Sequence, residues 1–67
     1  MNPIALKPYD KVRVVSDRFR DQGAPRGTIG YIVEQWRDDV FEVEVSREDG
    51  TTIAMFAARA DELELVE

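Results

Sequence analysis

The chain of 67 residues contains neither cysteine nor histidine. Without cysteine it forms no disulfide bond and offers no thiolate to a metal ion, a composition typical of proteins in a reducing cytoplasm. Without histidine it lacks the imidazole base that activates serine nucleophiles, and it lacks the commonest ligand of zinc and haem. We therefore predict a protein that is not an enzyme and that holds no cofactor and no metal ion.

Long hydrophobic runs are also missing. No segment approaches the run of about 18 apolar residues that a membrane-spanning helix requires. Residues 1–7 lack the basic start and the apolar stretch of a signal peptide. We therefore expect a soluble protein of the cytoplasm that makes no contact with a membrane.

Acidic side chains outnumber basic ones by fourteen to nine, which gives a net charge of −5. Their distribution is uneven, since residues 1–37 carry seven basic and four acidic side chains, whereas residues 38–67 carry two basic and ten acidic ones. This acidic field disfavours nucleic acid as a partner, because binding to phosphates requires clustered lysine and arginine. The field either keeps a small protein dissolved and monomeric or attracts a basic partner protein.

Five short segments have the composition or the two-residue period of β-strands. The clearest is the third, in which Phe41, Val43 and Val45 alternate with Glu42 and Glu44. An Asp-Gly pair at positions 49–50 predicts a hairpin turn after it. The predicted strands cover residues 11–15, 28–36, 40–46, 51–57 and 63–66, with a long polar loop at 16–26 and a single 3₁₀ turn within 58–62.

The second predicted strand contains two candidate bends. Gly27 and Gly30 lie where a glycine kink or a bulge would let the strand coil sharply. We expect Ile29, Ile32 and Val33 to supply its contacts with the core.

The fourth predicted strand has apolar residues on both faces, so its alternation alone does not choose the core face. We assign the larger aliphatic pair, Ile53 and Met55, to the core. This assignment leaves Ala54 and Phe56 on the other face.

Five strands, one long loop after the first and one helical turn before the last predict an all-β fold, a small five-stranded SH3-like barrel that forms one domain over residues 1–67. Closing the sheet reduces the bare edges that invite aggregation. The alternative is an open five-stranded sheet that dimerises through one edge. We therefore expect a monomer or a weak homodimer.

Several segments resemble families with SH3-like folds. The strand at 26–33, Arg-Gly-Thr-Ile-Gly-Tyr-Ile-Val, resembles the glycine-bracketed strand of KOW modules, and with 55–57 and 61–66 it is similar to the SH3-like accessory subunit of photosystem I. The β chain of nitrile hydratase carries a comparable strand. Over most of its length the chain resembles the small bacterial domain-of-unknown-function family 4926, through segments 6–10, 27–33, 41–45, 49–50 and 61–63. That resemblance implies a fold and no assigned activity.

The long loop contains the first candidate binding site. Arg18 and Arg20 flank Phe19, an arrangement in which guanidinium groups could hold a carboxylate or another anion beside an aromatic ring. The alternative interpretation pairs the arginines with Asp17 and Asp21 in exposed ion pairs, which contribute little to stability.

The second candidate site surrounds Trp36. This residue, which we group with Tyr31 and Phe56, lies at a hairpin end, outside the alternation of its strand. Exposed tryptophan and tyrosine are frequent anchors of protein interfaces. The alternative is that its ring caps the open end of the core. Glu42 and Glu44 form an acidic face that would steer a basic partner protein towards this site.

These patterns predict a non-catalytic protein-interaction module, such as the small accessory or antitoxin-like partner of a neighbouring protein. The module would bind through the long loop or through the hairpin at Trp36. Two alternatives are a KOW-like nucleic-acid-binding module that uses the basic first half, and a structural accessory subunit of a larger enzyme or electron-transfer assembly.

Overall fold

The computed structural model describes residues 5–67, so residues 1–4 of the predicted domain lie outside the described part. Its two 3₁₀ turns, η1 (Arg20–Gln22) and η2 (Ala60–Glu62), lie in the long loop and directly before the last strand. This confirms the all-β class, the five strands and the turn before the last strand. The strands are β1 (Lys11–Val14), β2 (Ile29–Arg37), β3 (Val40–Ser46), β4 (Thr52–Arg59) and β5 (Leu63–Leu65).

The strands form one antiparallel sheet in the order β4-β3-β2-β1-β5. Strands β1 to β4 follow one another as neighbours, and β5 returns along the other side of β1. Within residues 5–67 no pairing joins β4 to β5, so the sheet is open there and closure into a barrel stays a prediction. Among the same residues, no helix is long and apolar enough to cross a membrane.

One face of the sheet, the inner face, carries the hydrophobic core. Residues paired across the middle strands are buried together, with Ile32 opposite Val43 and Val43 opposite Phe56. Phe19 from the long loop packs onto this face and stacks on Phe56, with ring centroids 4.2 Å apart. The loop is therefore part of one continuous core. The other buried apolar side chains are Val12, Val14, Ala24, Phe41, Val45, Ala54, Ala58 and Leu63.

The core face of β4 is opposite to the predicted one. Ala54 and Phe56 are buried, whereas Ile53 and Met55 are 41% and 51% exposed. The pairing with β3 decides the face, because Met55 lies opposite Glu44, which belongs to the polar side of β3. Residues that are directly opposite in a sheet share a face. Side-chain size was therefore the wrong criterion, and the strict alternation of β3 was the better one.

The second strand buries less than predicted. Ile32 is fully buried, but Val33 is half-buried and Ile29 is 37% exposed. The irregularities of β2 also lie elsewhere than at its glycines, since its register with β3 shifts near Val33 and again near Trp36. The prediction of a bend at the glycines was wrong in position.

Gly30 instead allows two backbones to approach closely. A Cβ atom at this position would lie 2.8 Å from the carbonyl oxygen of Glu44 and 2.9 Å from a methyl group of Val43. Any side chain here would push β2 away from β3. Gly27 has another role, because its φ of 97° in the turn before β2 belongs to the left-handed region that favours glycine.

The inner face predicts the effect of a core truncation. Phe41→Ala should lower the free energy of unfolding by about 3–5 kcal/mol, because Phe41 is only 2% exposed. Since so small a domain has little stability to lose, urea denaturation should show no cooperative transition for this variant. Met55→Ala, on the outer face of β4, is the matched control and should change the free energy by less than about 1 kcal/mol. A Phe41→Ala variant with a wild-type denaturation midpoint would contradict the described core.

Candidate functional site

The long loop, residues 16–26, is ordered by its own backbone hydrogen bonds. Within it, the N–H groups of Gln22 and Ala24 donate to the carbonyl oxygen of Phe19 at 3.1 and 3.0 Å. Gly23 ends η1 with a φ of 93°. These bonds hold Phe19 over the inner face, where its side chain is 1% exposed. Phe19 therefore belongs to the core and has no surface to offer a partner, contrary to the expectation for the loop site.

Arg18 joins the long loop to the turn before β5. Its Nε and Nη2 atoms donate to the two carboxylate oxygens of Glu62, each at 2.8 Å. The same Nη2 atom donates to the carbonyl oxygen of Ala57 on β4 at 3.4 Å. The guanidinium also lies over the ring of Phe19, 4.5 Å from its centroid. The alternative interpretation paired Arg18 with Asp17 or Asp21, but within the described residues its ion pair is with Glu62 instead.

Glu62 is the one charged residue that is buried among residues 5–67. Besides Arg18, the backbone N–H of Arg59 donates to its carboxylate at 3.0 Å. The hydrogen bonds from Arg18, together with those from the Arg59 backbone and the Ser16 hydroxyl, outweigh burial and lower the pKa of Glu62 from 4.5 to about 2. The carboxylate is therefore charged at neutral pH, and bidentate pairing with a guanidinium satisfies it.

The remaining arginines of the long loop are at the surface. Arg26 bonds to Asp17 through Nε and Nη2 at 3.2 and 3.3 Å, and it also donates to the carbonyl oxygen of Val15. Arg20 is exposed and makes no ion pair with residues 5–67. Of the three residues predicted for the loop site, Phe19 is buried and Arg18 is bound to Glu62 although it is half-exposed, whereas Arg20 is exposed and makes no ion pair within residues 5–67.

The ion pair between Arg18 and Glu62 predicts a stability effect. Glu62→Gln should lower the free energy of unfolding by about 1–3 kcal/mol at neutral pH, because it removes the charge that Arg18 and the Arg59 backbone hold. The matched control is Glu64→Gln, since Glu64 pairs with Arg13 at 2.7 Å but is exposed. An exposed pair should contribute less than about 1 kcal/mol. Equal effects of the two substitutions on the denaturation midpoint would contradict the special role of Glu62.

The lowered pKa of Glu62 also predicts how stability depends on pH. A carboxylate with a depressed pKa in the folded state stabilises the fold above its unfolded-state pKa, because the unfolded chain binds the proton more readily. The contribution should be complete above pH 4.5, decline as the pH falls below that value and vanish below about pH 2. After a discount for the half-exposed Arg18, it amounts to about 1–2 kcal/mol. The free energy of unfolding should therefore fall less steeply with decreasing pH for Glu62→Gln than for the wild type. Parallel curves for the two proteins would contradict the lowered pKa of Glu62.

The second predicted site lies on the outer face of the sheet, opposite the core. Paired residues form one row across four strands, Lys11 beside Tyr31, Tyr31 beside Glu44 and Glu44 beside Met55. Tyr31 is 49% exposed and Met55 51% exposed. Large apolar side chains are thus exposed to solvent next to a carboxylate, although each belongs to a regular strand.

Trp36 borders this row. Its side chain is 60% exposed, and its indole Nε1 donates to Oε1 of Glu42 at 2.9 Å. Glu42 is two residues before Glu44 on β3, so the two carboxylates share the outer face. The exposure of Trp36 rules out the alternative in which its ring caps the core. We call Trp36, Tyr31, Met55, Glu42 and Glu44 the outer-face patch.

The carboxylates of the outer-face patch are not neutralised by cations of the described chain. Glu42 accepts from the indole of Trp36, and Glu44 accepts from the hydroxyl of Thr52 at 2.6 Å, both neutral donors. Neither glutamate forms an ion pair within residues 5–67. The patch therefore combines exposed apolar surface with two free negative charges. Residues 5–67 enclose no pocket and contain no cluster of acidic side chains that could hold a metal ion.

Sequence reasoning found part of this arrangement. It selected Trp36, Glu42 and Glu44, which the structure brings together on one face. It also grouped Tyr31 with Trp36, but it included Phe56, which is buried, and it missed Met55, which it assigned to the core. The strict alternation of β3 contained the signal, since it fixes which face of each neighbouring strand lies outward.

Comparison with known proteins identifies the family of the chain. A family model described as Domain of unknown function (DUF4926) matches residues 9–65. The chain belongs to this family. No curated protein and no solved structure matches it. Membership confirms the resemblance to family 4926, and because the family has no assigned activity, any function must be argued from the surface of this member.

Proposed function

We propose that the protein is a non-catalytic interaction module that binds another protein through the outer-face patch. Its role would be that of a small accessory or antitoxin-like partner of a larger protein. The observation that carries the proposal is the exposure of Trp36, Tyr31 and Met55 on the face of the sheet opposite the core.

The composition of the patch supports a protein partner. Tryptophan and tyrosine are enriched among the residues that dominate binding energy in protein interfaces, and methionine adapts its shape to a partner. Their exposure is unusual here, because a chain this small needs its large apolar side chains for the core. The charges of Glu42 and Glu44 favour a partner with a basic surface, which they would attract before contact.

The distribution of cations argues against the KOW-like alternative. Five of the nine basic residues form ion pairs with carboxylates of the chain: Lys7, Arg13, Arg18, Arg26 and Arg59. Cations that are already paired release fewer counterions from nucleic acid and add less to binding. The SH3-like barrel remains the expectation on which the KOW comparison rests. The pairing of the cations supports protein binding over nucleic-acid binding.

A structural accessory subunit of a larger assembly is the other alternative. It would use the same outer-face patch, but it would bind permanently and at fixed stoichiometry. An obligate interface is larger and more apolar than a transient one. The carboxylates within the patch favour a separable partner.

Trp36→Ala tests the proposal. Because the side chain is 60% exposed and its one side-chain hydrogen bond within residues 5–67 goes to Glu42, the variant should unfold cooperatively with a midpoint close to that of the wild type. Tagged protein from its own host, treated with nuclease, should retain one protein partner that the Trp36→Ala variant loses. Mass spectrometry of the retained proteins gives the readout.

Arg20→Ala is the control, since Arg20 is the exposed residue of the long-loop site. Retention of the partner by this variant, with loss by Trp36→Ala and by Glu42→Gln, would support the outer-face patch. Loss of the partner by Arg20→Ala alone would place binding on the long loop and contradict the proposal. Recovery of nuclease-sensitive ribosomal or transcription proteins alone would favour the KOW-like function.

A further inference from the structure

Tyr9 occupies a backbone conformation that glycine normally takes. Residues 7–10 form a tight turn in which the Asp10 N–H donates to the carbonyl oxygen of Lys7 at 3.2 Å. Pro8 and Tyr9 are its two central residues, and Tyr9 has a φ of 75°. This is the pattern of a type II turn, whose third position requires a positive φ and favours glycine or asparagine. Among the described non-glycine residues, Tyr9 alone has a positive φ.

The turn is held in this shape from both sides. The carboxylate of Asp10 accepts from the backbone N–H and from Nζ of Lys7, at 3.0 and 2.9 Å. On the other side, the Tyr9 N–H donates to the carbonyl oxygen of Ile32 at 2.6 Å, and the Ile32 N–H donates to that of Asp10 at 3.0 Å. The strained residue is therefore fixed in place.

The strained conformation does not bury the tyrosine ring. Tyr9 is 81% exposed, the largest exposure among the large apolar residues that the structure describes as exposed. A residue that costs stability and buries little is a candidate for a function in its side chain. Glycine or asparagine would form the same turn with less strain, but neither would present a ring.

The backbone of Tyr9 lies beside β2, the strand that carries Tyr31 and Trp36 of the outer-face patch. The segment from Tyr9 to Lys11 runs antiparallel to β2, with Tyr9 bonded to Ile32 and Lys11 opposite Tyr31. Adjacent strands are about 4.8 Å apart. The backbone of Tyr9 is therefore one strand spacing from the strand that carries Tyr31 and Trp36.

Carboxylates outnumber cations around these rings, where Lys11 lies opposite Tyr31 and Arg37 follows Trp36. This excess of negative charge indicates the kind of partner. Glu34 on β2 lies opposite Glu42 on β3, and Glu44 is two residues after Glu42 on the same strand. All three carboxylates are without an ion pair in residues 5–67. Arginine and lysine bind to the faces of tyrosine and tryptophan, and carboxylates beside the rings strengthen that attraction.

We infer that Tyr9 is a contact residue of the same docking surface and that the surface binds a segment of another protein carrying exposed arginine or lysine. The inference rests on the proposed function and adds to it the strained turn and the chemistry of the partner. The cationic side chain would lie against the aromatic rings, near Glu42 and Glu44. The strain at Tyr9 is the cost of presenting its ring there.

The probe is a phage-displayed library of random linear peptides, selected on the full-length protein. Synthetic copies of the enriched peptides are then titrated while the emission of Trp36, the single tryptophan, is followed. We expect enrichment of arginine and lysine. Tyr9→Asn should weaken binding of these peptides by about tenfold or more, while its melting temperature should rise by about 3 °C because the strain is relieved. Tyr9→Phe keeps the ring and the backbone, so its affinity should stay within about twofold of wild type.

The outcomes separate the inference from the proposed function. Basic peptides that bind wild type and Tyr9→Asn equally, but not Trp36→Ala, would overturn the role of Tyr9 and leave the outer-face patch as a binding site. Selected peptides without enrichment of basic residues would overturn the chemistry of the partner. Failure to select any peptide whose binding depends on Trp36 would count against both. Weaker binding by Tyr9→Asn with a raised melting temperature supports the inference, because a misfolded variant would melt lower.

Discussion

The buried carboxylate of Glu62 requires a cationic partner, and the position of the long loop follows from how Arg18 supplies it. An unpaired charge at a buried site would be strongly destabilising. The guanidinium satisfies the carboxylate through two of its nitrogen atoms, Nε and Nη2. That position places Arg18 over the ring of Phe19, and Phe19 over Phe56 on the inner face. The loop of eleven residues (16–26) has its own backbone hydrogen bonds, and the ion pair fixes it to the turn before β5, so that Phe19 covers the inner face of the sheet.

The same interaction separates the structural surface of the protein from the surface available to partners. With Arg18 paired, Phe19 buried and Arg26 bound to Asp17, the long loop is largely committed to the fold. The outer-face patch is free of such obligations, since its two carboxylates, Glu42 and Glu44, are bonded only to neutral donors. Large apolar side chains remain exposed there, although the domain is small enough to need them for stability. This division is the physical basis for placing binding on the outer face.

Local pattern was sufficient for some elements of the fold and insufficient for others. The β3 strand and the turn at Asp49-Gly50 could be predicted directly from the sequence, because both depend on neighbouring residues. The core face of β4 was predicted wrongly, because it depends on the register with β3 and not on the size of Ile53 or Met55. The ion pair between Arg18 and Glu62 joins residues 44 positions apart, and no local sequence pattern predicts it. Trp36 and the two glutamates of β3 were found from the alternation of their strands, whereas nothing in the sequence indicated the positive φ of Tyr9.

The central claim is that the Arg18–Glu62 pair is a specific interaction that holds the loop on the core. A double-mutant cycle with Arg18→Ala and Glu62→Gln, measured by urea denaturation at neutral pH, tests it most directly. Interacting residues in such cycles show coupling energies of about 0.5–3 kcal/mol, and we expect a value above about 1 kcal/mol because the bond is bidentate and one partner is buried. Effects that add to within about 0.5 kcal/mol would show that the loop is held by Phe19 packing alone, and would contradict this account.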